Sequence, residues 1–238
     1  MKKIKEVGKM IGLFFRLVYE MIKNYPHLNQ NIDNNFMICK KICRKIIDSA
    51  DIGLHLFGRE NFPEDENFLL VSNHRCFFDV VFLLASVEKT IRFVAAKELW
   101  RYPLLRKYLS SIGCVALDRY TKEKEQLKQS ILSMKEALQR GNLVLFPEGE
   151  CSYHDTSMRR FKRGGFLGIP SQEQKIVPVY IKMQNLKNLG RWMIPQGDVC
   201  IFVDPCFSPA TMPGEKKTAS EIARYTKMRI EKMQKENE

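Results

Sequence analysis

The stretch Phe68-Leu-Leu-Val-Ser-Asn-His-Arg-Cys-Phe-Phe-Asp79 decides the fold of this chain, because an apolar run ends in polar residues and a second apolar run follows. Residues 69–71 are typical of a short buried strand, and the two polar residues after them end it. The next apolar run, residues 80–85, predicts a helix that begins at Asp79. His74 is therefore expected on a strand-to-helix turn, where a rigid scaffold holds a side chain open to a ligand.

The spacing of His74 and Asp79 suggests a specific chemistry. An aspartate near the start of the helix can reach back to one imidazole nitrogen, which leaves the other nitrogen free to take a proton. A histidine oriented in this way is a general base of the kind that activates a hydroxyl in acyl transfer. The alternative is a turn histidine hydrogen-bonded to a helix-capping aspartate with no catalytic role. These residues alone leave both interpretations open.

Size and composition limit the classes of protein that this chain can be. With 238 residues and 45% hydrophobic content, it can form one sizeable domain plus an appendage, which excludes a disordered protein. Lysine and arginine outnumber aspartate and glutamate by 39 to 27, giving a net charge of +12. This excess predicts an anionic partner, which is a nucleic acid, a phosphate-bearing substrate or an acidic membrane surface.

The cysteines predict reduced thiols rather than disulfides or a metal site. There are seven, an odd number, and none forms a C-x-x-C pair. No secretory signal precedes them, so we expect a cytosolic compartment. Cys151 and His154 are close in sequence, but without a second pair of ligands they fall short of a structural zinc site, and no metal is predicted.

The N-terminal part of the chain predicts two amphipathic helices. Residues 1–23 carry apolar side chains at helical spacing with lysine and arginine between them, and residues 36–47 repeat this pattern. The first helix is too often interrupted by charge to span a membrane, and its aromatic and basic composition favours lying on one. The alternative is a helix packed on the domain with its basic face in water. We assign residues 1–57 to an N-terminal membrane-association region and residues 58–238 to the catalytic domain.

Beyond the first helices, strands and helices alternate, which predicts an α/β fold with a mixed, largely parallel central sheet flanked by helices and preceded by the two N-terminal amphipathic helices. Strands are expected at residues 54–57, 69–71, 91–95, 114–117, 143–146, 176–181 and 199–203, and the later helices at 99–111, around 127–138 and at 219–233.

Ligand-binding residues of open α/β sheets gather beyond the carboxyl ends of strands. Three further strands of the predicted sheet carry candidate residues of this kind. Arg119 follows one strand, where a guanidinium can hold a phosphate by paired hydrogen bonds. Glu148 stands between a rigid proline and Gly149, which lets the backbone approach a ligand closely. Pro178 interrupts an apolar strand, which is tolerated at a sheet edge or where the backbone faces something other than a neighbouring strand.

These stretches, in this order, resemble the signature of the glycerolipid acyltransferase family, which includes 1-acylglycerol-3-phosphate acyltransferases, over about residues 58–203. In that family an Asn-His-x4-Asp block carries the catalytic base, Gly-x-x-x-x-Asp-Arg and Phe-Pro-Glu-Gly blocks bind the acceptor, and a Val-Pro block closes the site. The matching positions here are Asn73, His74 and Asp79; Gly113, Asp118 and Arg119; Phe146, Pro147, Glu148 and Gly149; Val177, Pro178 and Val179; and Lys97 within a further similar segment, Ala96-Lys97-Glu98-Leu99.

The resemblance implies a one-step transfer without an acyl-enzyme. His74 takes the proton from an acceptor hydroxyl as that oxygen attacks an acyl thioester, and Asp79 orients the ring. Arg119 holds the phosphate of a lysophospholipid, most simply 1-acylglycerol-3-phosphate, while Glu148 and Gly149 position its glycerol end and the product is phosphatidic acid. Asn73, Lys97 and Pro178 are the other expected substrate-binding residues.

The resemblance also implies the partners. The donor is acyl-CoA or acyl carrier protein, and no cofactor is needed. Acceptor and product reside in an anionic membrane, so a peripheral enzyme on the cytoplasmic side is expected. No recognised nucleic-acid module accompanies the basic charge, so no nucleic-acid partner is predicted.

Two departures from the family pattern affect these expectations. The family commonly continues its Phe-Pro-Glu-Gly block with a small residue, arginine and serine, whereas Cys151 stands here at the arginine position. A basic segment follows closely and can supply the missing phosphate contact: Arg159, Arg160, Lys162 and Arg163. Cys76 replaces a serine of the first block.

Three alternatives therefore stay open. One is an acyltransferase for a different lysolipid or for an acceptor without phosphate. Another is a lipid or thioester hydrolase that uses Cys76 or Ser72 as a nucleophile. The third is a non-catalytic basic domain that binds lipid or nucleic acid.

Overall fold

A sheet of seven strands forms the centre of the computed structural model, which describes residues 2–118, 121, 123–151, 157–183 and 197–237. The order across the sheet is β1-β7-β6-β2-β5-β3-β4. The strands are β1 (Leu54–Phe57), β2 (Phe68–Ser72), β3 (Ile91–Ala96), β4 (Val115–Leu117), β5 (Asn142–Leu145), β6 (Lys175–Met183) and β7 (Val199–Val203).

The strand pairing is mostly parallel. β2 lies at the centre and pairs in parallel with β5 and β6, while β3 pairs in parallel with β5 and β4. β1 forms one edge in parallel with β7, and only the β6–β7 pair among the described strands is antiparallel. The predicted mixed, largely parallel α/β sheet is confirmed.

The helices follow the predicted alternation closely. They are α1 (Lys2–Asn24), α2 (Ile32–Ala50), α3 (Asp79–Ser86), α4 (Pro103–Ser111), α5 (Lys124–Arg140) and α6 (Ala219–Glu236). A short 3-10 turn at Lys97–Arg101 precedes α4. The sequence predicts a helix over residues 99–111, whereas α4 begins at Pro103, since a proline without an N–H favours the first turn of a helix.

The core has two layers, one on each face of the sheet. In β2, Leu70 packs with apolar residues of α2 and α3, while Leu69 and Val71 face the opposite layer with residues of α5 and α6. Successive side chains of a strand point to opposite faces, so a strand covered on both sides is apolar throughout. This explains why residues 68–71 form an unbroken hydrophobic run.

The N-terminal helices pack on the same body. α2 buries Phe36, Ile42 and Ile46 in the core, and the Tyr108 hydroxyl donates a hydrogen bond to the backbone carbonyl of Met21 in α1 at 2.7 Å. β1 belongs to the central sheet. Among the described residues, no helix is both long enough and apolar enough to cross a membrane. The assignment of residues 1–57 to membrane association stays a prediction.

Pro178 lies in β6 inside the sheet rather than at an edge. The backbone N–H of Asp204 donates to the carbonyl of Pro178 at 3.0 Å, and Asp204 is the first residue after β7. In an antiparallel pair of this kind the two residues normally exchange two hydrogen bonds, and proline can supply only the acceptor. The N–H that proline lacks would have faced Asp204, just beyond the end of β7. This fits the second predicted placement, in which the backbone of the proline faces something other than a neighbouring strand.

Candidate active site

Several predicted site residues lie in the turns that follow the strands, at the carboxyl edge of the sheet. β2 and β5 are adjacent and parallel, so the turn after β2, which carries His74, lies beside the turn after β5, which carries residues 146–149. Parallel neighbours bring their carboxyl ends to one edge, which is where ligands of open α/β sheets bind. Two stretches far apart in sequence therefore form one cluster.

His74 and Asp79 are in direct contact. The ring Nδ1 of His74 lies 2.7 Å from Oδ2 of Asp79, which is the first residue of α3. The same oxygen accepts the backbone N–H groups of Arg75 at 2.6 Å and Cys76 at 3.0 Å. A carboxylate in the first turn of a helix is also stabilised by the helix dipole. Asp79 is fully buried, so it fixes the ring orientation without competition from water.

The other ring nitrogen is occupied. Nε2 of His74 lies 3.2 Å from Sγ of Cys151, a partly exposed residue, whereas the sequence predicted a free nitrogen. That expectation is wrong because the chain after residue 149 turns back across the ring, a contact between residues 77 positions apart. Burial lowers the pKa of His74, but the hydrogen bonds to Asp79 and Cys151 and their charges outweigh it and raise the pKa to about 10.

A phenylalanine supports the histidine ring from one face. The ring of Phe146 stacks on the imidazole with centroids 4.2 Å apart and an interplanar angle of 18°, and Phe93 stacks behind Phe146 at 6.4 Å. Stacking on an aromatic face also favours a protonated imidazole. The sequence placed Phe146 in a family block but not among the site residues, since the stack depends on the pairing of β2 with β5.

The Glu148 side chain, in the turn after β5, is hydrogen-bonded to the backbone of the turn after β2. Its side chain is only 1% exposed. One carboxylate oxygen accepts the N–H of His74 at 2.8 Å, and the other accepts the N–H of Arg159 at 3.0 Å. Such charge-assisted bonds are strong in a buried setting. The prediction that Glu148 positions the glycerol end is corrected to an indirect role, since its oxygens hold protein backbone and almost no surface is left for a substrate.

Gly149 completes a tight turn in which its N–H donates to the carbonyl of Phe146 at 3.1 Å. Its φ of +77° is a conformation that favours glycine, and a Cβ here would lie 2.8 Å from Nζ of Lys162. The N–H of Lys162 donates to the carbonyl of Pro147 at 2.8 Å. The basic segment of residues 159–163 is thus held against this turn, as the phosphate-contact hypothesis requires.

Asn73 has a structural position. Its Nδ2 donates to the carbonyl of Ile181 at 3.0 Å, and its Oδ1 accepts the N–H of Ile181 at 2.8 Å. The side chain thereby extends the pairing of β2 with β6 by one residue. It is fully buried, so the predicted direct contact with substrate is corrected to positioning of the turn that carries His74.

Lys97 and Asp118 form a second group on the same edge. Lys97 follows β3, Asp118 follows β4, and their charged groups lie 3.8 Å apart. With strands about 4.8 Å apart, β4 is roughly 14 Å from β2, so this pair lies beside the His74 cluster and not within it. Arg119 lies outside the described residues, and so does His154. The predicted role of Arg119 stays a prediction.

The two nucleophiles of the hydrolase alternative are inaccessible. Ser72 is fully buried and its hydroxyl donates to the carbonyl of Asn73 at 3.1 Å. Cys76 is 1% exposed, and burial raises the pKa of its thiol well above the ordinary value. Neither can meet a substrate carbonyl in this fold. In the described part of the chain, no three His, Cys, Asp or Glu side chains converge as metal ligands would.

Comparisons with known proteins find a matching family and similar sequences. The model of a family described as Acyltransferase matches residues 54–182, which is more than half of the chain. The protein named 1-acyl-sn-glycerol-3-phosphate acyltransferase from Bacillus subtilis is 28% identical over 118 residues, covering 49% of this chain and 57% of the relative. The protein of the same name from Helicobacter pylori is 27% identical over 162 residues, covering 66% of each chain. The chain thus spans just over half to about two thirds of the length of these relatives.

A solved structure shares the fold. The crystal structure of the 1-acyl-sn-glycerophosphate (LPA) acyltransferase PlsC from Thermotoga maritima superimposes with a TM-score of 0.77 at 20% identity, covering 99% of this chain and 98% of that one. This similarity extends over the N-terminal helices as well as the sheet.

Proposed function

Because this chain belongs to the acyltransferase family, we propose that it transfers a fatty acyl group from acyl-CoA or acyl carrier protein to the free hydroxyl of 1-acylglycerol-3-phosphate, giving phosphatidic acid. The observation that carries the proposal is the contact of 2.7 Å between His74 and Asp79 at the carboxyl edge of the sheet. The names of the curated relatives support the choice of acceptor.

The geometry supports the proposal that His74 is a general base whose orientation is already fixed. Asp79 holds Nδ1, so Nε2 is the atom that takes the proton from the acceptor hydroxyl while its oxygen attacks the acyl thioester. Because Cys151 contacts Nε2 and helps to raise the pKa of His74 to about 10, the acceptor has to displace this thiol and the ring has to release its proton before the transfer step. Phe146 and the Glu148-bound backbone keep the imidazole from rotating. A fixed base lowers the entropic cost of reaching the reactive arrangement. The His74 side chain is 17% exposed, which leaves one side of the ring open to an acceptor.

The acceptor's phosphate has cationic groups available near the same turn. Arg160 and Lys162 are exposed in the segment that is hydrogen-bonded to residues 147–148, and Lys162 covers Gly149. With Cys151 in place of the family arginine, these cations and the predicted Arg119 are the proposed phosphate ligands. Lys97, directly after β3, is proposed to contribute to substrate binding. The acyl donor is a co-substrate, and no cofactor is part of the proposal.

The proposed location is the surface of an anionic membrane, on its cytoplasmic side. One side of α1 packs on the body through Leu13, Leu17 and Met21, while a second row of apolar side chains faces outward. The exposed members are Ile11, Phe15, Tyr19 and Ile22, with Arg16 and Lys23 exposed nearby. An exposed apolar row bordered by positive charge is typical of a helix that lies in a membrane interface.

The direct test is acyl transfer by the purified full chain. Radiolabelled palmitoyl-CoA is offered with a panel of lysolipids that do and do not carry a phosphate monoester, and with monoacylglycerol. We expect phosphatidic acid as the main product. His74→Ala should lower its rate about 100-fold to 10,000-fold, the range for loss of a general base. His55→Ala, a control on the exposed surface of β1, should retain the wild-type rate.

Two results would contradict the proposal. One is wild-type protein that acylates none of the phosphate-bearing lysolipids. The other is His74→Ala protein with wild-type turnover. The phosphate assignment is tested separately with Arg119→Ala and Lys162→Ala, which should weaken phosphate-bearing acceptors and leave monoacylglycerol unaffected. If either variant weakens both classes equally, its residue does not hold the phosphate.

A further inference from the structure

We propose that a cleft at the amino edge of the sheet, where the parallel strands begin, binds a phosphate group that is carried by a small soluble metabolite or is free in solution. The cleft has a volume of about 540 Å³, which is within the range of small-molecule sites. Its lining includes Arg92 near the start of β3, Val115 at the start of β4 and Asn142 at the start of β5. His74 follows the opposite end of the parallel strand β2, so the cleft is separate from the proposed acyl-transfer site.

The burial of Arg92 is the observation that carries this proposal. The residue is only 6% exposed, yet among the described residues no aspartate or glutamate forms an ion pair with its guanidinium. A guanidinium has five N–H donors. The one hydrogen bond that the described part of the chain provides runs from Nη2 to the backbone carbonyl of Ala137 in the last turn of α5. Buried charges in proteins are normally paired with an opposite charge. An oxyanion in the cleft would supply the missing partner.

Two glycines leave the space in which the Arg92 side chain lies. A Cβ on Gly113 would lie 3.1 Å from Cδ of Arg92, and a Cβ on Gly141 would lie 2.9 Å from its Nη2. Both glycines line the same cleft. The arginine is therefore in close contact with two backbone segments, which limits its motion. Its planar group is thus already positioned for paired hydrogen bonds to an oxyanion.

The other charged groups of the cleft are exposed, and its carboxylates already have partners. Asp33 accepts a hydrogen bond from the Thr90 hydroxyl at 2.6 Å, and the carboxylate of Glu136 lies 3.8 Å from the Arg140 guanidinium. Burial lowers the pKa of Arg92, and the positive charge of Arg140 acts in the same direction. Two cationic groups therefore line a cleft in which the deeper one lacks a counter-charge, and this favours an anionic ligand.

The experiment measures binding of radiolabelled inorganic phosphate and of glycerol 3-phosphate to the full chain by equilibrium dialysis at low salt. The background protein is the double variant Arg119→Ala/Lys162→Ala, because these two residues are proposed to bind the phosphate of the acceptor. We expect one phosphate site to remain in this background. Arg92→Met, which keeps an extended side chain without its charge, should weaken binding by about 10-fold or more. Ser133→Glu, on the exposed rim of the cleft, should also weaken it by at least about 10-fold through charge repulsion.

Ser220→Glu is the matched control, because it adds the same charge on the exposed first turn of α6, outside the cleft, and it should bind phosphate like the background protein. Thermal melts verify folding, and Ser133→Glu provides the test if Arg92→Met unfolds, since an exposed position leaves the core intact.

The two ligands distinguish the sources of the phosphate group. Tighter binding of glycerol 3-phosphate than of inorganic phosphate assigns the cleft to a phosphorylated metabolite, and equal binding assigns it to free phosphate. The proposal is overturned if the background protein binds neither ligand, or if every folded variant of the cleft binds with unchanged affinity. Neither result bears on acyl transfer at His74, which is measured separately.

Discussion

The carboxylate of Glu148 accepts the backbone N–H of His74 at 2.8 Å, so the turn after β5 directly fixes the turn that carries the proposed base. The two residues are 74 positions apart in the chain, and parallel pairing of β2 with β5 brings them together. The other oxygen of the same carboxylate holds the N–H of Arg159. One buried side chain therefore connects three segments of the site.

Glu148→Gln tests this connection. An amide nitrogen cannot accept a hydrogen bond, so one of the two backbone N–H groups loses its partner inside the protein. We expect the free energy of unfolding in urea to fall by about 1–3 kcal/mol, the cost of an unsatisfied buried donor, and the transfer rate to fall with it. Glu136→Gln on the exposed surface of α5 is the matched control and should change the free energy of unfolding by less than about 0.5 kcal/mol. Equal stability of the two variants would contradict the buried role.

Asn73→Ala removes a side chain that completes the sheet. The N–H and carbonyl of Ile181 would both lose their partners in a buried region, and the expected loss in the free energy of unfolding is about 2–4 kcal/mol. Asn67→Ala is the control, since Asn67 is exposed and its side chain donates a single hydrogen bond among the described contacts, to the carbonyl of Gln139. Urea unfolding followed by circular dichroism measures both. A loss no larger than that of the control would show that the amide does not extend the β2–β6 pairing.

Much of the fold and part of the site follow from local sequence. The strand and helix positions come from hydrophobic periodicity, and the His74–Asp79 contact joins two residues only five positions apart on one turn. The roles of Asn73 and Glu148 could not be predicted, because their partners lie 108 and 74 positions away. The contact of Cys151 with His74 depends in the same way on how the turn after β5 crosses the edge of the sheet.

Gly149→Ala tests the tight turn beside the base. A φ of +77° costs a residue with a side chain about 1–2 kcal/mol, and the new Cβ would also displace the Lys162 ammonium. We therefore expect a lower melting temperature and weaker binding of phosphate-bearing acceptors. Gly164→Ala is the control, because a Cβ at that position meets no atom within 4 Å and no unusual φ is present. Equal melting temperatures for the two variants would contradict the strain argument.

The stability contributed by His74 should depend on pH in a specific direction. The fold raises the pKa of this histidine from 6.5 to about 10, so the native state holds a proton that the unfolded chain releases. The contribution is therefore complete below about pH 6.5 and is lost as the pH rises toward 10. Urea unfolding of wild type and His74→Gln from pH 6 to pH 10 measures it. The difference between the two free energies should shrink steadily across this range. A difference that grows with pH would mean that the ring is neutral in the fold.

Phe15→Glu tests the proposed membrane face of α1. Phe15 is 67% exposed on the outward row, and burying a phenylalanine in an interface contributes about 1.5–3 kcal/mol. Replacing it with a carboxylate should therefore weaken binding to vesicles that contain anionic phosphatidylglycerol by at least about 10-fold. Met228→Glu is the matched control, since Met228 is 50% exposed on α6 and the substitution adds the same charge. Co-sedimentation at low and high salt measures both variants. If the control weakens binding as much as Phe15→Glu, net charge rather than the α1 surface governs the association. If neither variant weakens it, α1 does not contact the membrane.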